Sequence, residues 1–137
     1  MTGATVTDER RVQVGTRLPE LVIATDVTFI IAAALASRDF EPVHHDIDAA
    51  RAAGMDDVFM NILATNGLAV RLVTDWAGAG ARVVRSAVRL GVPQYAGDTL
   101  TLRGEVIAVD GPRVDVAVEG SNRLGVHVSG TVTVELP

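Results

Sequence analysis

Two side chains that can exchange a proton stand close together in one short segment. Asp39 and His44 are five positions apart, with Pro42 between them. A carboxylate beside an imidazole is common equipment for general acid-base catalysis, and Pro42 restricts the backbone that separates them. Because Asp, Pro and His all favour loops, this spacing alone does not distinguish a catalytic pair from an ordinary loop.

The same segment also offers a metal-binding interpretation. Asp39, His44, His45 and Asp46 carry the oxygen and nitrogen atoms that metals bind. Adjacent histidines in a loop rarely turn to one ion, and no standard ligand spacing is present, so we predict no metal and no other cofactor. Cysteine is absent, which excludes disulfides, thiolate metal sites and a Cys nucleophile. We expect His45 to be a loop residue.

Composition limits the class of protein. The chain has 137 residues, of which 48% are hydrophobic and 21% charged, which indicates one globular domain. The net charge of -5 favours neither nucleic acid nor an anionic membrane as a partner. The N-terminal segment lacks an apolar signal region, and the longest apolar run, Phe29–Ala36, is too short to span a bilayer. We therefore expect a cytoplasmic protein.

The segments that flank the acid-base pair predict short elements. Leu18–Ile23 is typical of a strand that begins near a proline. A helix precedes the pair and ends at about Ser37, and a short Ala-rich helix follows it and ends at Gly54. The candidate N-caps are Asp26 or Thr28 for the first helix and Asp46 or Asp48 for the second.

The longest helical pattern runs from about Asn61, a good N-cap, to Trp76. Its apolar surface is broad, which predicts a helix wrapped by protein. Gly67 lies inside it at a cost of about 1 kcal/mol relative to Ala, and we interpret it as close packing on a sheet, with room for a bulky ligand as the alternative. The residues of the predicted stripe are Ile62, Leu63, Asn66, Val70 and Val73, widened by Leu68, Leu72 and Trp76.

After Ala81 the apolar period changes to two, which is typical of half-buried antiparallel strands. Four strands are predicted, near residues 84–90, 100–108, 114–119 and 126–136, with turns at Asp110–Pro112 and Ser121–Arg123. The order of elements predicts an α+β fold in which one long central helix is wrapped by an antiparallel sheet. That is the arrangement of a single hotdog domain.

Two segments resemble the signatures of a known family, the MaoC-like enoyl-CoA hydratases. Asp39–His44 is similar to the pattern Gly-Asp-x-Asn-Pro-Ile/Leu-His, and Val92–Asp98 resembles the Pro-x-x-x-Gly-Asp turn before the middle strand. The likeness extends from about residue 15 to the end, so we expect a tail at 1–14 and a hotdog domain at 15–137. Arg38 stands where most members have Gly, and Met60-Asn61 where most have His-Gly.

The resemblance implies an acyl-CoA substrate and a division of labour among site residues. Hydration of an enoyl thioester needs a base for water, an acid for the α-carbon and stabilisation of an enolate oxygen. His44 is expected as the principal acid-base group, and Asp39 shares the water. The backbone N–H groups of Asn61 and Ile62 would bind the thioester oxygen at the helix N-terminus.

Within this family, the chain is most similar to the small MaoC-like subunits of actinobacterial steroid side-chain enoyl-CoA hydratases. That likeness implies a steroid side-chain CoA thioester as substrate. It also implies a second MaoC-like subunit as partner in a heterodimer or heterotetramer, with a homodimer as the alternative. Two other functions stay open: a non-catalytic hotdog partner subunit and a hotdog acyl-CoA thioesterase. The segments that carry the likeness are 28–30, 34–40, 43–46, 59–63, 73–78 and 89–93.

Overall fold

The computed structural model of the chain describes residues 12–137, so most of the predicted tail lies outside the described part. The elements are β1 Leu21–Thr25, α1 Val27–Ala36, a 3₁₀ turn Pro42–His44, α2 Ile47–Ala52, α3 Ile62–Ala77, β2 Arg82–Leu90, β3 Asp98–Asp110, β4 Arg113–Asn122 and β5 Gly125–Glu135. None of the helices in this part of the chain is long and apolar enough to cross a membrane.

The helices begin where their caps predict. Asp26 accepts the N–H of Phe29 at the start of α1, and Asp46 accepts the N–H groups of Asp48 and Ala49 at the start of α2. β1 begins later than expected, at Leu21. The amide of Leu18 still bonds to Gly104, but Pro19 has no N–H to continue the ladder.

The five strands form one antiparallel sheet in the order β1-β3-β4-β5-β2, and α3 packs on its inner face. The predicted α+β hotdog architecture is confirmed. The buried side of α3 follows a helical spacing and faces valines and leucines from β3, β4 and β5. Its buried residues are Thr65, Leu68, Ala69, Leu72, Val73 and Ala77.

Part of the predicted stripe on α3 is wrong. Ile62 and Leu63 are 51% and 53% exposed, so the first turn of the helix presents apolar side chains outward. The packing role predicted for Gly67 is also wrong within this chain. Gly67 is exposed, and a Cβ added there would meet nothing within 4 Å.

β5 breaks its alternation at one residue. Gly120 of β4 pairs with Val128 and Ser121 pairs with Val126, so His127 is the extra residue of a β-bulge. The bulge places His127 inside and leaves Val126 exposed, the reverse of the alternation predicted from the sequence. The turn between β4 and β5 accordingly lies at residues 123–124.

Candidate active site

Asp39 is placed by the end of α1. Ser37 caps the helix, and the next residue, Arg38, has a φ of 55°, which turns the chain back on itself. The amide of Asp39 then donates to the carbonyl of Ala34 over 2.9 Å. This left-handed position favours Gly, so the turn is made at some conformational cost.

His44 is held by both its backbone and its ring. It ends the 3₁₀ turn that Pro42 begins, and it is only 7% exposed. Its Nδ1 lies 2.7 Å from the carbonyl oxygen of Phe59, and the Phe59 ring packs edge-on at a centroid distance of 5.0 Å. Because a carbonyl can only accept, Nδ1 carries a proton, and the tautomer of the neutral ring that this contact selects has its lone pair at Nε2.

The two predicted acid-base side chains meet in the structure. Nε2 of His44 lies 3.3 Å from Oδ2 of Asp39. The carboxylate also accepts from the Asn61 side chain and from the backbone N–H of Glu41. The Asn61 hydrogen bond is the main cause that lowers the pKa of Asp39; burial opposes it, and the Glu41 amide and His44 add to the lowering. Asp39 is therefore an anion at neutral pH.

This geometry is suited to a water molecule. Both Nε2 of His44 and Oδ2 of Asp39 are acceptors, so each can take one hydrogen of a single water. The imidazole can then accept a proton while the carboxylate keeps the water oriented. A nucleophilic side chain is not needed for this chemistry.

The N-terminus of α3 lies beside the pair. Asn61 is the N-cap, with its side-chain oxygen on the N–H of Ala64, and Ile62 is the first helical residue. Within residues 12–137 the N–H groups of Asn61 and Ile62 have no hydrogen-bond acceptor. Free amides at the positive end of a helix dipole can stabilise a developing oxyanion.

All four residues predicted for the site line one cavity of about 360 Å³. Its remaining walls are largely apolar, which suits an acyl chain and keeps the acid-base pair partly shielded from water. A larger groove of about 600 Å³ over β3, β4 and β5 contains no histidine. The site cavity is lined by Asp39, His44, Met55, Phe59, Met60, Asn61, Ile62, Leu90, Gly91, Val92, Pro93 and His127.

The segment that resembles the family's Gly-Asp turn has a positioning role. It pairs with the strand-like residues around Phe59, where the N–H of Met60 donates to the carbonyl of Gln94 over 2.9 Å. The Gln94 side chain is fully buried and bonds to Thr25 and Asn122. This polar network fixes the backbone whose carbonyl holds His44.

Sequence reasoning missed His127. Its Nδ1 lies 2.6 Å from the carbonyl of Val92, and its Nε2 lies 2.8 Å from the hydroxyl of Thr65 on α3. Burial lowers the pKa of His127, against the opposing effect of the Val92 hydrogen bond, so the ring is neutral. The alternation of apolar residues along β5 gives no sign of a bulge. The one available signal was a histidine in a strand rich in valine, which could have marked His127 as a candidate site residue.

The side chains proposed as alternative metal ligands do not converge. His45 is exposed, and the Asp46 carboxylate caps α2. The part of the chain that the structure describes holds no group of three or more His, Asp or Glu side chains arranged for a metal ion.

Comparison with known proteins identifies the family to which this fold belongs. Residues 14–127 match the family model described as MaoC like domain. The chain is 52% identical over 123 residues to the 3-oxo-4,17-pregnadiene-20-carboxyl-CoA hydratase beta subunit of Mycobacterium tuberculosis (strain ATCC 25618 / H37Rv), covering 90% of this chain and 95% of that protein.

Solved structures with the same fold include relatives at high and low sequence identity. A chain in the crystal structure of the ChsH1-ChsH2 complex from Mycobacterium tuberculosis has a TM-score of 0.90 at 51% identity, covering 91% of this chain and 98% of that one. The (R)-hydratase from A. caviae involved in PHA biosynthesis has a TM-score of 0.85 at 23% identity, covering 93% of this chain and 99% of that one, which shows the shared fold.

The sheet and its central helix thus define a hotdog protein, in which Asp39 and His44 meet in one cavity beside the N-terminus of α3. The chain belongs to the MaoC-like family, as the sequence predicted. It is a hydro-lyase of that family.

Proposed function

We propose that this protein is an enoyl-CoA hydratase that adds water to an α,β-unsaturated acyl-CoA, with Asp39 and His44 as the catalytic pair. One observation carries the proposal. The pair stands 3.3 Å apart, with the imidazole proton committed to the Phe59 carbonyl, in a cavity that also reaches the N-terminus of α3.

The proposed reaction is balanced by one water. Its oxygen forms a bond to the β-carbon while Nε2 of His44 takes one of its protons and Asp39 accepts a hydrogen bond from the other. The electron pair of the double bond moves toward the thioester oxygen, where the N–H groups of Asn61 and Ile62 stabilise the enolate. The protonated His44 then returns its proton to the α-carbon on the same face.

We propose a bulky, steroid-type acyl group as the substrate class. The 52% identical relative carries a steroid carboxyl-CoA in its name and matches most of both chains. Gly67 on α3 is exposed with open space above it, and Ala64 is only partly buried. These small residues leave room along the helix for fused rings at a subunit boundary.

We propose further that the working unit contains a second hotdog subunit, a different MaoC-like chain or a second copy. β2 is an edge strand of nine residues, and a partner strand can extend the sheet there. Ile62, Leu63 and Leu90 are exposed near the cavity and would be covered by such a partner. The 51% identical chain with a TM-score of 0.90 was solved in a ChsH1-ChsH2 complex, which favours the heteromer. We propose a cytoplasmic location for this unit.

The test compares two substrates in the presence and absence of partner. Hydration of a steroid side-chain enoyl-CoA and of crotonyl-CoA is measured for the chain alone and for the complex that co-purifies from its host. We expect a species larger than a monomer, activity that rises sharply with the partner, and a kcat/KM that favours the steroid thioester. A fully active monomer that prefers crotonyl-CoA would contradict both the assembly and the substrate.

A further inference from the structure

The side chain of Asn61 makes three hydrogen bonds at once. Its Oδ1 accepts the N–H of Ala64 over 3.3 Å, while its Nδ2 donates to Oγ of Ser37 over 2.9 Å and to Oδ2 of Asp39 over 3.1 Å. The residue is 2% exposed. One buried amide therefore joins α3, the end of α1 and the catalytic carboxylate.

The contacts fix which way this amide points. Ser37 donates its own hydroxyl proton to the carbonyl of Ala33 over 2.8 Å, so its oxygen is free to accept from Asn61. A flipped amide would set its oxygen against the Asp39 carboxylate and its NH₂ against the N–H of Ala64. The first contact would set an acceptor against an acceptor, and the second a donor against a donor. The donor side of Asn61 must face Asp39.

We infer that the Asn61 side chain is a positioning residue for the acid-base pair, in addition to capping α3. It holds the Asp39 carboxylate next to His44, and because it also caps the helix, it fixes that carboxylate relative to the oxyanion amides. This role adds to the proposed hydratase function. The expected effect on kcat rests on that function, whereas the expected effect on the Asp39 carboxylate does not.

The effect on Asp39 is chemical as well as geometric. An amide donor favours the ionised carboxylate, so the proton taken from water goes to His44 rather than being lost to Asp39. The other charged or titratable groups around Asp39 are His44 at 3.3 Å, Arg38 and Glu41 as chain neighbours, and His127 in the same cavity. Among residues 12–137, the side chains in polar contact with this carboxylate are those of Asn61 and His44.

Two substitutions separate capping from positioning. Asn61→Ser keeps a good N-cap, but its hydroxyl is too short to replace the amide at Asp39. Asn61→Asp also keeps the cap and sets a second carboxylate beside Asp39. Asn66→Ser is the matched control, because Asn66 lies on the same helix and its side chain bonds to Ser86.

The first readout is the titration of the Asp39 carboxyl carbon, followed by NMR in full-length chain with ¹³C-labelled aspartate and assigned with Asp39→Asn. We expect the Asp39 pKa to rise in Asn61→Ser, to rise further in Asn61→Asp through like-charge repulsion, and to stay unchanged in Asn66→Ser. This measurement needs no substrate, so it decides the inference even if hydration is never observed.

The second readout is enoyl-CoA hydration by the complex. Losing a hydrogen bond to a charged group should lower kcat about 10- to 100-fold in Asn61→Ser, with KM nearly unchanged because the side chain acts on the reacting groups rather than on binding. If Asn61→Ser folds, titrates Asp39 as the wild type does and keeps wild-type kcat, Asn61 is only a cap and the inference is overturned.

Discussion

Nδ1 of His44 lies 2.7 Å from the carbonyl oxygen of Phe59, and this contact determines which nitrogen faces Asp39. A backbone carbonyl has no proton to give, so the imidazole must donate there and present Nε2 to the cavity. The carbonyl is itself fixed by the pairing of this segment with Gln94 and Tyr95. The tautomer needed for a general base is thus set by backbone structure.

The first prediction concerns the pair itself. Asp39→Asn and His44→Ala should each reduce hydration by about 10²- to 10⁴-fold, the usual contribution of a proton-transfer group. His45→Ala is the control, since His45 is the exposed neighbour in the chain and should leave kcat unchanged. A correctly folded Asp39→Asn or His44→Ala enzyme with near wild-type kcat would refute the mechanism.

The second prediction concerns the turn before Asp39. Arg38 adopts a φ of 55°, where a side chain costs about 1 kcal/mol or more relative to Gly. Arg38→Gly should therefore raise the free energy of unfolding by about 1 kcal/mol. Gly54→Ala, at a φ of 87° with open space around it, should lower that free energy. Urea unfolding measures both, and a destabilised Arg38→Gly would show that the Arg side chain makes compensating contacts.

The third prediction is a pH dependence of stability. Burial lowers the pKa of His127 below its ordinary value of 6.5. His127 thus has a lower pKa in the folded chain than in the unfolded chain, where it titrates near the ordinary value. At a pH between the two, the unfolded chain binds a proton that the folded chain does not, so the free energy of unfolding falls as the pH drops below about 6.5. His127→Gln removes this titration. Unfolding free energies at pH 7.5 and 5.5, at one protein concentration, should differ more for the wild type than for His127→Gln; equal differences would contradict the assignment.

The fourth prediction is that activity does not require a metal. The reaction runs on proton transfer, and the described residues 12–137 hold no group of three or more His, Asp or Glu side chains arranged for a metal ion. Extensive dialysis against a chelator should leave hydration unchanged. Activity that is lost on chelation and restored by a divalent ion would contradict this account.

The sequence predicted those features that depend on local signals. Candidate caps predicted the helix starts because a cap acts on the amides next to it. The sequence left Asp26 or Thr28 and Asp46 or Asp48 open, and the structure shows Asp26 and Asp46 as the caps, with Asn61 as predicted for α3. The alternating valines of β4 predicted that strand, because they form its buried inner face. The likeness to a family identified Asp39 and His44 as partners, which spacing alone could not do.

Features that depend on distant contacts were not predictable. Ile62 and Leu63 are as apolar as core residues, yet they lie on the exposed first turn. His127 turns inward because β5 carries one residue more than β4 opposite it. The second role of Asn61 requires Ser37 and Asp39 to come within reach, which only the packing of α1 against α3 provides.

The most direct test of the central claim follows the fate of water oxygen. The protein, with its co-purifying partner, is mixed with a steroid side-chain enoyl-CoA in H₂¹⁸O, and the products are analysed by mass spectrometry. The account predicts an intact CoA thioester that has gained one water with the label on the β-carbon, and loss of this product in Asp39→Asn. Free CoA with the label in a carboxylate would identify a thioesterase, and an unchanged substrate in the complete complex would identify a non-catalytic subunit; either result would contradict the account.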